Sequence, residues 1–390
     1  MRFLWLSIFL TIACAKPSDR ERVAELPVEL MLVPVDSMEI PFIGKPVVHD
    51  IYPGARRILF MDHREFGEEI FVADFEGNIL HSYTKFGDVP DRYGALMAPL
   101  TFMDNHHFLA YGFVGFNTYE LSGKLVSSVK EEKMEPHAFA QRTFGRSFAK
   151  HGNRLLYFDQ GSRTRENEGP TSYEAVHLLK WLDPSTGKKE IFANFPTGSL
   201  FKNGKYFPSG SWWPAFCISD GFIYVAYGIE PVVYLYDADP PHELISQFKP
   251  SLKDYHYFQG SENAEVGTDI GLFLLGGKIE SIVRFNEFLL ISYFPGYSPA
   301  DVSAFQENMG VEERIVLRER MDEKYKRRLW IGDLEGNTLG DFVPEVFQAN
   351  NIGVREGELF AIGAENPARE EDLFRIYRLD ISESTFRDTE

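Results

Sequence analysis

Cysteine is almost missing from this chain: 390 residues hold two, Cys14 and Cys217. With Cys14 in the N-terminal segment, the remainder has one thiol, which excludes an internal disulfide and any CxxC redox or zinc chemistry. Cys217 lies in the apolar stretch AFCISDGFIYVAY and reads as a small core hydrophobe rather than a nucleophile. Clustered positive charge is lacking too. Forty Lys and Arg stand against 58 Asp and Glu, a net charge of -18, and the basic residues are dispersed. Polyphosphate binding draws its affinity from clustered cations, so no nucleic acid is expected as a partner. The acidity itself needs no more than solubility to explain it. Apolar runs are short: the longest near the N-terminus covers residues 3–12, half of what a bilayer span requires.

Chemical motifs are equally scarce. His242-Glu243 begins like a zinc-protease helix, but Ser246 stands where the second histidine belongs, so no metal site is expected. Asp237 and Asp239 have calcium-loop spacing without the glycine and closing glutamate, and turn chemistry accounts for them. Asp220-Gly221 is similar to part of a sialidase aspartate box, but the following Thr and Trp are missing. No GxSxG elbow, GxGxxG fingerprint or phosphate loop occurs, and no motif specifies a cofactor. The doublet His106-His107 falls in a hairpin and reads as surface.

What is present is one phrase, repeated: an apolar strand ending in an acidic residue, a turn usually carrying glycine, then a second strand. It recurs as FVADFEGNIL, NTYELSGKLV, LLKWLDPSTGKKEI, VVYLYDADPPHELI and RLWIGDLEGNTL, with a shortened sixth copy, FRIYRLDISES. A small sheet cannot bury both faces until its neighbours stack on it, so strand-only repeats of this length signal a β-propeller. If each phrase supplies strands c and d of a blade, hairpins for strands a and b must precede it. Six do: HDIYPGARRILFMD, TFMDNHHFLAYG, SFAKHGNRLLYFD, AFCISDGFIYVAYG, SIVRFNEFLLISYF and NIGVREGELFAIG. The expected fold is therefore all-β, a six-bladed propeller of four-stranded antiparallel blades. The sixth blade is one strand short, and a closed ring cannot leave that edge unpaired. The segment VELMLVPVDSMEIPF, residues 28–42, has strand composition and no blade of its own; it is assigned as the missing outer strand, where Pro34 and Pro41 cost least.

At the N-terminus, Arg2, the apolar run and Ala13 before Cys14 form a secretory signal. Within it LTIAC resembles a bacterial lipobox, with Thr11 where leucine is usual and Leu10 one place earlier. Acylation at Cys14 would anchor the chain in a membrane, each buried methylene contributing roughly 0.8 kcal/mol. The domain plan is then a signal over 1–13, a tether over 14–27, one propeller over 28–384 and a tail over 385–390. With the lipobox-like LTIAC, the six hairpins and the repeated turn, the chain resembles the six-bladed propeller lipoproteins of Bacteroidetes-type bacteria, largely uncharacterised families akin to the TolB and NHL propellers. The expected protein is lipid-anchored at Cys14 in the cell envelope, periplasm-facing or at the cell surface, and a monomer. The resemblance supplies no catalytic residues.

Loop lengths point to the working face. The a–b and c–d turns are short, whereas the b–c and d–a connections hold all the insertions, and in a propeller those two sets lie on opposite faces. The longest insertion, between Gly296 and Arg328, is expected to form one or two helices from its Ser298-Pro299 start and helically spaced charges. Within the long loops the candidate ligand-binding residues are Arg142, Arg146, Arg163 with Arg165, Trp212, Trp213, Tyr255, His256 and Tyr257. Aromatic faces stack on sugar rings or peptide side chains and arginine clamps carboxylates, a combination suited to an anionic or glycan-like ligand. The competing reading has the tryptophans closing a hydrophobic rim between blades and the arginines paired with nearby carboxylates. The leading function is an envelope lipoprotein binding a glycan, peptide or envelope protein on the long-loop face. Its alternatives are a propeller hydrolase or lyase acting on a glycan or lactone-like substrate, with groups donated singly by several blades, and a scaffold for an envelope complex.

Overall fold

The computed structural model describes residues 29–62, 68–130, 144–145, 148–159, 169–306, 310–365 and 371–383. It contains six separate four-stranded antiparallel sheets, the blades of a propeller. Blades 1 to 5 cover residues 46–84, 101–129, 149–191, 214–248 and 278–342, and blade 6 covers 347–383 with residues 30–41 added as its outer strand.

Burial follows position within the blade. Second strands are apolar without alternation because a neighbouring blade covers each face: Ile58 to Met61, Ile223 to Tyr227 and Leu289 to Tyr293 are all buried. Outer strands such as Ile79–Thr84 and Leu244–Phe248 are largely exposed. The core is correspondingly divided into six clusters, one in each gap between adjacent blades. Cys217 packs against the cluster between blades 4 and 5, and burial pushes its thiol up to about 12.

The recurring acidic turn has a physical reason. In the first blade Asp74 accepts the Asn78 N–H at 2.8 Å, and in the fifth Asp333 accepts the Asn337 N–H at the same distance. The glycine before each asparagine is left-handed, Gly77 at φ 86° and Gly336 at φ 92°. It must also be bare: a Cβ on Gly77 would lie 2.3 Å from the Glu39 carbonyl oxygen.

Ring closure is as expected. The strand Leu30–Pro41 runs antiparallel to Leu373–Glu383, from Leu30 opposite Glu383 to Pro41 opposite Leu373, with one irregularity between Pro34 and Asp36. A second clasp crosses the inner strands. Asp50 of blade 1 accepts from Arg355 Nε of blade 6 at 2.6 Å and from the Phe102 N–H of blade 2 at 2.8 Å.

Candidate functional site

All a–b turns are short, as are the five c–d turns within blades 1 to 5, and every long connection emerges on the other face, including 192–213, 249–277 and 295–327. Among the described residues four α-helices sit there: α1, Pro170–Tyr173; α2, Ile270–Leu275; α3, Pro299–Gln306; and α4, Val311–Lys324. Helices α3 and α4 form a canopy with its own apolar cluster of Tyr297, Leu317 and Met321. Tyr297 stacks on Tyr325 at 4.6 Å. Asp301 pins the two helices together, accepting from Lys324 Nζ at 2.7 Å, from the Tyr325 hydroxyl and from Ser298 Oγ at 2.8 Å. Those donors, Lys324 foremost, hold its carboxyl far below the usual range.

Beneath the canopy runs a groove of about 1010 Å³ between α2, α4 and the start of blade 6. Among the described residues five cationic side chains line it, Lys278, Arg314, Arg318, Lys326 and Arg327, against two anionic ones, Asp269 and Asp322. Aromatic faces of Phe294, Tyr297, Phe305 and Tyr325 complete the wall. Arg327 grips Glu280 at two points, 2.6 and 3.3 Å. Burial opposes its charge, and the Glu280 carboxylate more than offsets this, so its affinity for the proton rises. Arg318 is open to solvent, with the Asp322 carboxylate 3.9 Å away.

A second, smaller cavity of about 80 Å³ lies where the inner strands of blades 4 and 5 begin, at the mouth of the central channel. That is room for several waters. Phe148, Phe158, Trp213, Phe216 and Phe273 form its walls, and Lys278, Glu280 and Ser281 supply polar atoms. Ser281 is 2% exposed, and its hydroxyl has no hydrogen-bond partner among the described residues. Lys278 lines both spaces, its ammonium 4.3 Å from the Phe273 ring centre and 5.7 Å from that of Phe294.

Of the residues expected from sequence, Cys14, Arg142, Arg146, Arg163 and Arg165 lie outside the described residues. Trp212 is buried in the core between blades 3 and 4, its ring 5.3 Å from Tyr173, so packing rather than a ligand occupies its faces. Its neighbour Trp213 is partly buried at the edge of the same cluster, against Phe158 and Phe273, and lines the channel-mouth cavity. Tyr255 is held by a hydrogen bond from its hydroxyl to the Ile229 carbonyl at 3.0 Å and packs between Tyr257 and Tyr293; burial pushes its phenol well up. His256 is exposed and contributes backbone: its N–H donates to Pro295 and its carbonyl accepts from Gly277, tying the loop to blade 5. Tyr257 is half-buried against the core between blades 3 and 4. Among the described candidates, then, Trp213 alone reaches the cavity.

The cationic residues of the groove were visible in the run EERIVLRERMDEKYKRR, which reads as a helix with solvated charges. Lys278 and Glu280 carried a different signal, charge on the innermost strand of a blade, where apolar residues are the rule. Among the described residues no three His, Cys, Asp or Glu side chains come together as a metal-binding set.

No protein-family model matches the chain, and no curated protein matches it. Solved structures do. A member of the DUF4221 family from Bacteroides vulgatus is similar with a TM-score of 0.65 at 12% identity, covering 92% of this chain and 100% of its own. A PQQ-bound aldose sugar dehydrogenase from Streptomyces coelicolor gives 0.48 at 12% identity, over 91% and 99% of the two chains. A gluconolactonase from Xanthomonas campestris gives 0.42 at 10%, over 91% and 95%. The first likeness is one of fold, spanning the whole propeller.

Proposed function

We propose that this protein is an envelope-anchored lipoprotein whose propeller binds an anionic ligand on the long-loop face, around Lys278. One observation carries the reading: on a chain of net charge -18, a groove of the elaborated face is lined, among the described residues, by five cations and two anions, interleaved with aromatic rings. A local reversal of sign within an acidic protein attracts anions and turns away cations, and the aromatic faces add area at low entropic cost. Acylation at Cys14 would hold that face near the envelope, the polar tether setting its reach.

The ligand half is tested by thermal shift against uronate oligosaccharides, acidic peptides and anionic metabolites, with neutral sugars as controls. An anion at about 100 times its dissociation constant adds roughly 2.7 kcal/mol of stability. The expected result is a midpoint rise confined to anions, weakened by salt and lost in the double variant Arg318→Glu, Lys326→Glu. A rise with neutral sugars only sinks the reading. The anchor half is checked by palmitate labelling and fractionation: Cys14→Ala should lose the label and leave the membrane fraction, and retention in the membrane refutes the anchor.

A further inference from the structure

We infer that the ligand is an acidic peptide segment, which seats one apolar side chain in the channel-mouth cavity and lays its carboxylates along the groove. This rests on the anionic reading above and narrows it.

The two spaces form one surface. Lys278 lines both, and the Glu280–Arg327 pair crosses the same boundary, Glu280 facing the cavity and Arg327 the groove. Helix α2 stands between them, with Phe273 on the cavity side and Leu272 and Leu275 on the groove side. A ligand spanning the boundary must therefore present an apolar group and negative charge on one short backbone.

The cavity selects against sugar. Phe148, Phe158, Phe216 and Phe273 present hydrocarbon to it and the polar side chains are gathered at Lys278, Glu280 and Ser281, so a sugar ring, with hydroxyls on every side, would leave most of them short of the hydrogen bonds they make in water. A leucine or phenylalanine side chain loses nothing of the kind and gains about 1.5–3 kcal/mol on burial. Among the described side chains of the lining, Ser281 Oγ has no partner and can serve one main-chain amide. The groove in turn selects against a fatty acid, which brings one carboxylate to a wall holding Arg314, Arg318, Lys326 and Arg327. A peptide chain advances about 3.3–3.6 Å per residue when extended, so acidic residues flanking the anchor would reach the guanidinium groups of Arg314 and Arg318, each able to grip a carboxylate at two points.

The experiment is selection of a randomised heptapeptide display library on the full-length protein, alongside an acidic oligosaccharide array. Expected is enrichment of peptides with one large apolar residue flanked by Asp and Glu. The leading peptide, synthesised, should lose at least tenfold in affinity when its apolar residue becomes glycine, and at least tenfold against Arg318→Glu. That side chain is solvent-exposed, so the variant should fold, with an unchanged circular-dichroism melt as the check. Enrichment of acidic residues without an apolar one, or binding of acidic oligosaccharides alone, overturns the inference and leaves the anionic reading standing. Enrichment without acidic residues, or none on a folded protein that also ignores the array, overturns both.

Discussion

Glu230 shows how much a single buried carboxylate organises on the working face. It is 3% exposed and accepts three hydrogen bonds, from Ser199 Oγ at 2.9 Å, the Leu200 N–H at 2.7 Å and the Tyr234 hydroxyl at 3.0 Å. Burial raises its pKa above the usual carboxylate value. Ser199 and Leu200 belong to the insertion that ends in Trp212 and Trp213, whereas Tyr234 lies in the third strand of blade 4, so the carboxylate ties the insertion to that blade. Glu230→Ala strips three buried donors of their acceptor, and each orphaned group costs about 1–3 kcal/mol before relaxation. We expect a loss of about 3 kcal/mol in a denaturant melt and a changed tryptophan emission as Trp213 loosens; a variant within about 0.5 kcal/mol of the parent would show that the loop is held by its apolar contacts alone. Little of this was legible in the sequence. Glu230 sits in GIEPVV with no partner at a recognisable spacing, and Trp212 and Trp213 lie in a turn, closed by the Trp213 N–H on the Gly210 carbonyl, whose geometry no spacing announces.

Among elements, the canopy helices were foreseen and their consequence was not. Ser298-Pro299 and the charge spacing marked α3 and α4, since proline suits a first helical turn and opposite charges three or four apart support a helix. What no spacing reveals is that the ends of the pair are pinned by one side chain, Asp301, reached by Lys324 and Tyr325 from more than twenty residues away. Because that carboxyl is depressed below its ordinary 3.8, the native state binds its proton less readily than the unfolded chain does. The contribution is thus fully present above about pH 3.8 and is lost as pH falls through the depressed value. Hydrogen exchange in α3 should be faster in Asp301→Asn than in the parent by a constant factor from about pH 8 to about pH 5, the two converging only at lower pH. A factor that shrinks near neutrality would mean that another group pins the helices.

For the molecule as a whole, the strand Leu30–Pro41 decides whether six blades make a ring. It was legible for a reason of counting: six a–b hairpins against five complete c–d phrases leave one outer strand to find, and only residues 28–42 had strand composition to spare. The structure adds why the clasp holds. The strand pairs with its partner at eleven positions, and its inward side chains enter two different gaps between blades, Leu32 into that of blades 5 and 6, Met38 and Ile40 into that of blades 6 and 1. Each such side chain contributes about 1.5–3 kcal/mol by burial, so removing residues 29–41 should cost about 5 kcal/mol or more and leave Leu373–Glu383 as an open edge. Asp50 and Arg355 would still bridge blades 1 and 6 at the inner strands, so the expected product is an intact arc with a loosened seam rather than an unfolded chain. The truncated protein should melt earlier, bind a hydrophobic dye and aggregate with time, and a synthetic peptide of residues 29–42 added in trans should reverse all three. If truncation leaves the melt unchanged, closure belongs to the inner clasp, and Asp50→Ala is then the variant that opens the ring.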